Sequence, residues 1–128
     1  MKPAIRLSSL MEIPVIYIFS HDSIAVGEDG PTHQPVEQLA IRRSQYNLNV
    51  FRPCDFNETL GSYILALKEK HTPSAILITR QNVPELETSS IEMVNQGAYK
   101  ICGELGGVEG GLGALTVIFL MKPLLKKD

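Results

Sequence analysis

Pro14-Val15-Ile16-Tyr17-Ile18-Phe19 is an unbroken β-branched and aromatic run, opened by proline and closed by the polar Ser20-His21-Asp22. A run without polar alternation suits a strand buried on both faces, as in parallel sheets. Ala75-Ile76-Leu77-Ile78-Thr79 repeats the pattern, and Asn47 to Phe51 reads as a further strand between them. Helical signals separate them. Pro35 opens one helix, with Val36, Leu39 and Ala40 facing inward and Arg42 and Arg43 in its last turns, where they complement the helix dipole. Asp55 and Glu58 stand at capping-box spacing, and Leu60, Tyr63, Ile64 and Leu67 then repeat at i, i+3, i+4 and i+7. Strand, helix, strand, helix, strand predicts an α/β fold: three layers, with a mainly parallel sheet and helices on both faces.

Outward from this centre, Pro3 is placed to start a short helix whose apolar stripe is Ile5, Leu7, Leu10 and Met11. Ser89 to Gln96 reads as another, stopped by Gly97. Ser20 to Pro35 is rich in Gly, Pro, Asp and His and reads as a long loop. Six of the 10 glycines fall between Gly103 and Gly113, ahead of Leu115 to Met121 and a basic end, Lys122 to Asp128. Residues 1–103 are therefore expected to form the domain, and 104–128 a Gly-rich linker with a final strand and basic tail.

The chain has 128 residues, which allows one core without disulfides or a structural metal. Its 12 Lys and Arg balance 14 Asp and Glu, with no basic stripe interleaved with aromatics, so nucleic acid is not an expected partner. Arg6 interrupts the N-terminal segment, which carries no secretory pattern, and Ala114 to Met121 is far shorter than the ~20 residues that cross a bilayer. A cytoplasmic protein with no membrane partner is expected. Cys54 and Cys102 then read as two free thiols.

In a parallel α/β sheet, ligands bind outside the carboxyl ends of the strands. His21, Asp22, Glu28, Asp29 and His33 follow the first strand, and Arg80, Gln81 and Asn82 follow the third. Together they are expected to form one polar site. Imidazoles and carboxylates hydrogen-bond sugar hydroxyls, and a guanidinium matches phosphate, so a phosphorylated polyol is the ligand class expected. Turn chemistry set by Gly27, Gly30 and Pro31 explains the loop equally well. A metal on His21, Asp29 and His33 lacks a recognised spacing, and the glycine segment lacks the GK[ST] of a nucleotide loop.

The string His21-Asp22-Ser23-Ile24-Ala25-Val26-Gly27-Glu28-Asp29-Gly30-Pro31-Thr32-His33-Gln34-Pro35-Val36-Glu37 strongly resembles the signature of the transketolase pyrimidine-binding domain. Phe51-Arg52-Pro53-Cys54-Asp55 and Ile78-Thr79-Arg80-Gln81-Asn82-Val83-Pro84 are similar to later blocks of that domain. Transketolases use thiamine diphosphate and a divalent metal to move a two-carbon ketol unit between sugar phosphates. The resemblance implies that His33 contacts the donor's terminal hydroxyl and Asp29 a neighbouring one, while His21 and Arg80 hold the phosphate end. Ala25 stands where the family usually has glycine, which would strain a positive-φ loop.

The resemblance also implies that the diphosphate- and metal-binding domain, the glutamate that protonates the aminopyrimidine ring and the aromatics that stack on it would precede Met1. The expectation is a truncated transketolase-like chain, with no cofactor, metal or catalytic residue of its own and no ketol transfer alone. The alternative is a split transketolase, completed in trans by a diphosphate-domain partner that brings thiamine diphosphate and Mg²⁺. A sheet short of its first strands exposes an apolar edge, so a homodimer is expected, with Leu115 to Met121 as a substitute strand.

Overall fold

The computed structural model of the chain describes residues 2–22 and 30–99. Its sheet is built on β3, Ser74–Leu77, which lies between β1, Ile16–Phe19, and β2, Asn49–Phe51, and pairs with both in parallel. Ser74 stands opposite Ile16 on one side and Asn49 on the other. Every residue of β2 and β3 is buried, including the polar Asn49 and Ser74 that open them. Among the described residues β1 is an edge, and Ile18 is 53% exposed.

Helices cover both faces. Tyr17, Phe19, Val50, Ala75 and Leu77 pack with Leu48, with Ile5 of α1 (Lys2–Leu10) and with Leu39 of α2 (Gln38–Arg43). Ile16, Phe51 and Ile76 pack on the other side with Tyr63, Leu65 and Ala66 of α3 (Phe56–Lys68) and with Val94. This is the expected three-layer α/β architecture with a parallel sheet. The tail from 104 onward lies outside the described residues.

Three of the four expected helices form, and each presents a face or limit other than the one expected. α1 buries Ile5, Ser8 and Ser9, while Leu7, Leu10 and Met11 of the expected stripe are exposed. Small serines allow close approach to the sheet; both hydroxyls donate to the Ile5 carbonyl, at 2.8 and 2.9 Å, so neither is buried unpaired. α2 begins at Gln38 rather than Pro35, leaving Val36 82% exposed and Ala40 outside; Leu39 alone of that trio turns inward. α3 buries Glu58, Gly61, Ser62 and Ala66, whereas Leu60 and Leu67 face out.

The inner face of α3 is set by a close neighbour. A Cβ at Gly61 would lie 2.6 Å from the Ile91 carbonyl oxygen and 2.8 Å from Val94 Cγ2, so only glycine lets this segment seat on the helix. That segment carries a short 3₁₀ turn, Met93–Gln96, in place of the helix expected from Ser89, and Gly97 ends it at φ 87°.

The cap of α3 forms as its spacing predicts. Asp55 Oδ1 accepts from Glu58 N at 3.0 Å, and Glu58 Oε2 accepts from the backbone N–H of Cys54, one residue ahead of the cap, at 2.7 Å. Glu58 is fully buried, and its Oε1 accepts from the Tyr99 hydroxyl at 2.8 Å.

Candidate functional site

Immediately beyond β1 the chain turns sharply at His21, whose φ of 68° lies in the left-handed region. A side chain there costs of order 1–3 kcal/mol unless its surroundings enforce it. Here the backbone is tied on both sides of the turn: Ile78 N–H donates to the Phe19 carbonyl at 2.8 Å and Asp22 N–H to the Ile78 carbonyl at 3.0 Å. Ser20 Oγ sits 2.9 Å from His21 Nδ1. His33 arrives from the other direction, through a turn closed by its N–H on the Gly30 carbonyl at 3.1 Å. Gly30 enters that turn at φ 68°, which glycine adopts at no steric cost. Thr32 Oγ1 lies 2.9 Å from His33 Nδ1.

Both imidazoles line one cavity of about 160 Å³, with Asp22, Gln38 and Arg42 over Phe19 and Leu77. The sequence thus points to residues that the fold does bring together. Asp29 and Ala25 lie outside the described residues. Arg80 is exposed beyond β3 and lines neither this cavity nor the larger one beside it.

The larger cavity, about 360 Å³, sits at the carboxyl ends of β2 and β3, between Cys54, Asp55 and Thr59 on one wall and Thr79, Gln81 and Asn82 on the other. Gln81 and Asn82 therefore line a different cavity from His21, Asp22 and His33. The reason is the sheet order: the loops after β2 and β3 line one cavity together, while Ser20, His21 and Asp22, just after β1, share theirs with Gln38 and Arg42 of α2.

Two arginines escape the reading from sequence. Arg52 Nε lies 2.5 Å from Asp22 Oδ2, and Nη2 donates to the Asp22 main-chain carbonyl. Asp22 is thus committed to holding the His21 loop. Arg42, expected to complement the helix dipole, is also only 8% exposed, with its guanidinium 4.6 Å from the centre of the Phe19 ring. Leu39 marks the inward face of α2, and i+3 from it is Arg42, so the signal was present in the spacing. Burial holds the neighbouring Arg43 guanidinium below its ordinary pKa, and the Asp22 carboxylate opposes that shift.

Cys54, Asp55 and Glu58 bring three possible metal-ligand atoms within 4.8 Å. Both carboxylates are already engaged, Asp55 by the N–H groups of Glu58 and Leu86 and Glu58 by Cys54 N–H and Tyr99 O–H. Burial, and then the Glu58 carboxylate, push the Cys54 thiol far above its ordinary value, so it is a poor nucleophile. The cluster is a helix cap. Tyr99 is pushed up to about 12, first by burial and also by Glu58.

The model of the transketolase pyrimidine-binding domain matches residues 1–85, which contain β1, α2, β2, α3 and β3 and both histidines of the cavity. The chain belongs to the transketolase family. The transketolase of Halalkalibacterium halodurans is 50% identical over 112 residues, 85% of this chain and 17% of that protein. Transketolase 1 of Saccharomyces cerevisiae is 56% identical over 96 residues, 75% of this chain and 14% of that protein. Among solved structures, transketolase from Pichia stipitis in complex with sedoheptulose 7-phosphate superposes with a TM-score of 0.76 at 48% identity, covering 80% of this chain and 15% of that one. The chain thus spans about one sixth of the length of the transketolases it matches. No helix among the described residues is long and apolar enough to cross a membrane.

Proposed function

We propose that these 128 residues form the substrate side of a transketolase-type site, which binds the sugar phosphate but neither binds thiamine diphosphate nor transfers ketol units by itself. The observation that carries this reading is the convergence of His21 and His33 on one cavity at the carboxyl end of the sheet. Their imidazole nitrogens offer hydrogen bonds to sugar hydroxyls. In this reading His33 meets the terminal hydroxyl and Asp29 its neighbour, and His21 and Arg80 meet the phosphate end. The complex of the Pichia stipitis relative with sedoheptulose 7-phosphate supports the ligand class.

Two carboxylates near the cavities support the second half of this reading, that the chain holds no cofactor by itself. Glu58 is fully buried with both oxygens accepting hydrogen bonds, so it has nothing to offer an aminopyrimidine ring. Asp22, the carboxylate in the wall of the histidine cavity, is paired with Arg52 rather than open to a divalent metal.

The exposed stripe of Leu7, Leu10 and Met11, and the position of β1 at the edge of the sheet among the described residues, support association of this chain with a second copy. They equally favour the second reading, completion in trans by a diphosphate-domain protein that supplies thiamine diphosphate and Mg²⁺. In both, the chain acts in the cytoplasm.

Titration with fructose 6-phosphate, followed by two-dimensional NMR, tests the main reading. Saturable shifts around β1 and α2 that weaken about tenfold or more in His33→Ala are expected. Shifts spread over the surface, or unchanged in that variant, contradict it.

A further inference from the structure

The sheet order ends at β1, so one edge of that strand has no neighbour among the described residues. Ser74 N–H donates to the Val15 carbonyl at 2.9 Å and Ile78 N–H to the Phe19 carbonyl at 2.8 Å, which turns the main chain of these two residues toward β3. Strand alternation then points the N–H and C=O groups of Ile16 and Ile18 away from β3, along the outer edge. The side chain of Ile18 is uncovered as well, at 53% exposure. Ile16, on the same face, packs with the core beneath α3, whereas Tyr17 and Phe19 pack on the α1 side. An apolar edge of this kind is a template for another strand, and folded proteins cover it.

Tyr99 packs against that same core beneath α3 and places its hydroxyl on Glu58 at 2.8 Å. The chain beyond it therefore starts from the face on which Ile18 stands open. Residues 100–113 would reach about 45 Å if extended, against a spacing of ~5 Å between neighbouring strands. They lead to Ala114-Leu115-Thr116-Val117-Ile118-Phe119-Leu120-Met121, a run whose one polar residue is threonine and which lies outside the described residues. Thr116, Val117, Ile118 and Phe119 are residue types that favour strands, and Lys122-Pro123 closes the run.

We infer that residues 115–121 pair with the outer edge of β1 in their own chain, as a fourth strand that lays apolar side chains over Ile18. This stands apart from the sugar-phosphate reading. One pairing satisfies the outward amides and carbonyls of β1 and removes two apolar surfaces from water, Ile18 and the run itself. The tether makes the pairing intramolecular, which favours it over the same run from a second copy at micromolar concentration. The outer stripe of α1, on the other face of the sheet, stays available to that second copy.

Hydrogen exchange of the full chain, followed by NMR, tests the inference at the amides of Ile16 and Ile18. Adjacent residues of a strand turn their N–H groups to opposite edges, so one of Val117→Pro and Ile118→Pro removes a ladder bond in any register. Both amides are expected to be protected in the unaltered chain, and to exchange at least about tenfold faster in one of the two variants, with Ala75 and Ile76 of β3 still protected. In a mixture of differently labelled copies, contacts between Ile18 and residues 115–121 are expected within a copy and not between copies.

Unprotected Ile16 and Ile18 amides in the unaltered chain overturn the inference. Protection unchanged in both variants also overturns it, because another element then covers the edge. Contacts between copies overturn the assignment to the same chain. Should the variants lose protection throughout β3, the contacts within a copy of the unaltered chain decide, and their absence overturns the pairing.

Discussion

Arg52 reaches across the end of the central strand to hold Asp22: its Nε stands 2.5 Å from Oδ2, and its Nη2 bonds the main-chain carbonyl of the same residue. β1 and β2 are not neighbours in the sheet, so this ion pair joins two loops that no strand pairing connects. Both side chains are partly buried, 24% and 12% exposed, which places the pair between a screened surface bridge and a fully buried one. Arg52→Met is expected to cost about 1–2 kcal/mol in urea unfolding and to increase hydrogen exchange at His21 and Asp22. Arg52→Lys recovers little, because a single ammonium does not reach both acceptors in one plane. Full recovery by lysine would show that charge alone, not the fork, holds the loop.

Gly61 makes a test with an unusual sign. Replacing a helical glycine with alanine ordinarily stabilises by about 1 kcal/mol. Here the added methyl meets the Ile91 carbonyl oxygen at 2.6 Å and Val94 at 2.8 Å. Overpacking of this kind costs about 1–3 kcal/mol, so Gly61→Ala is expected to destabilise or to lift the Met93–Gln96 turn off α3. A higher melting temperature with Val94 still protected from exchange would contradict the packing.

These contrasts show which parts of the molecule are legible in its sequence. The strands are, because Val15 to Phe19 and Ala75 to Ile78 have no polar residue to turn toward water. The α3 cap is also legible, since Asp55 and Glu58 find their bonds locally. The buried faces of α1 and α3 are not: Ser8, Ser9, Gly61 and Ser62 go inside because small residues let backbones approach, and that advantage appears only once the neighbouring element is in place. In the site, the histidines are announced by their motif. Arg52 and Arg42 acquire their partners from the strand order, which puts Asp22 within reach of one and Phe19 beneath the other.

Alkaline pH should unlock the cap beneath α3. The folded chain raises the Tyr99 pKa from its ordinary 10.0 to about 12, and raises the Cys54 thiol above its ordinary 9.0. In both cases the folded state holds its proton longer than the unfolded state, so stability falls as pH rises. The contribution is complete below about pH 9, declines from the unfolded pKa values upward, and is lost as pH passes the folded value of about 12 for Tyr99. Melting temperatures measured from pH 7 to 11 should fall at the upper end, less steeply in Tyr99→Phe and in Cys54→Ala. An identical slope in both variants would place the alkaline transition elsewhere.

Self-association is expected through the outer face of α1, where Leu7, Leu10 and Met11 are 57%, 57% and 58% exposed at i, i+3 and i+4 spacing. Light scattering at micromolar concentration is expected to give the mass of a dimer, and Leu10→Glu to return the mass of a single chain with an unchanged far-ultraviolet spectrum. A single-chain mass for the unaltered protein contradicts this interface.

The central claim is that the chain keeps a substrate side without a cofactor side, and calorimetric titration with thiamine diphosphate in the presence of Mg²⁺ tests it most directly. The account predicts no saturable heat, because Glu58 and Asp22 are both engaged within the fold. Saturable binding would contradict it, and would mean that other residues or a second copy of the chain assemble the cofactor site.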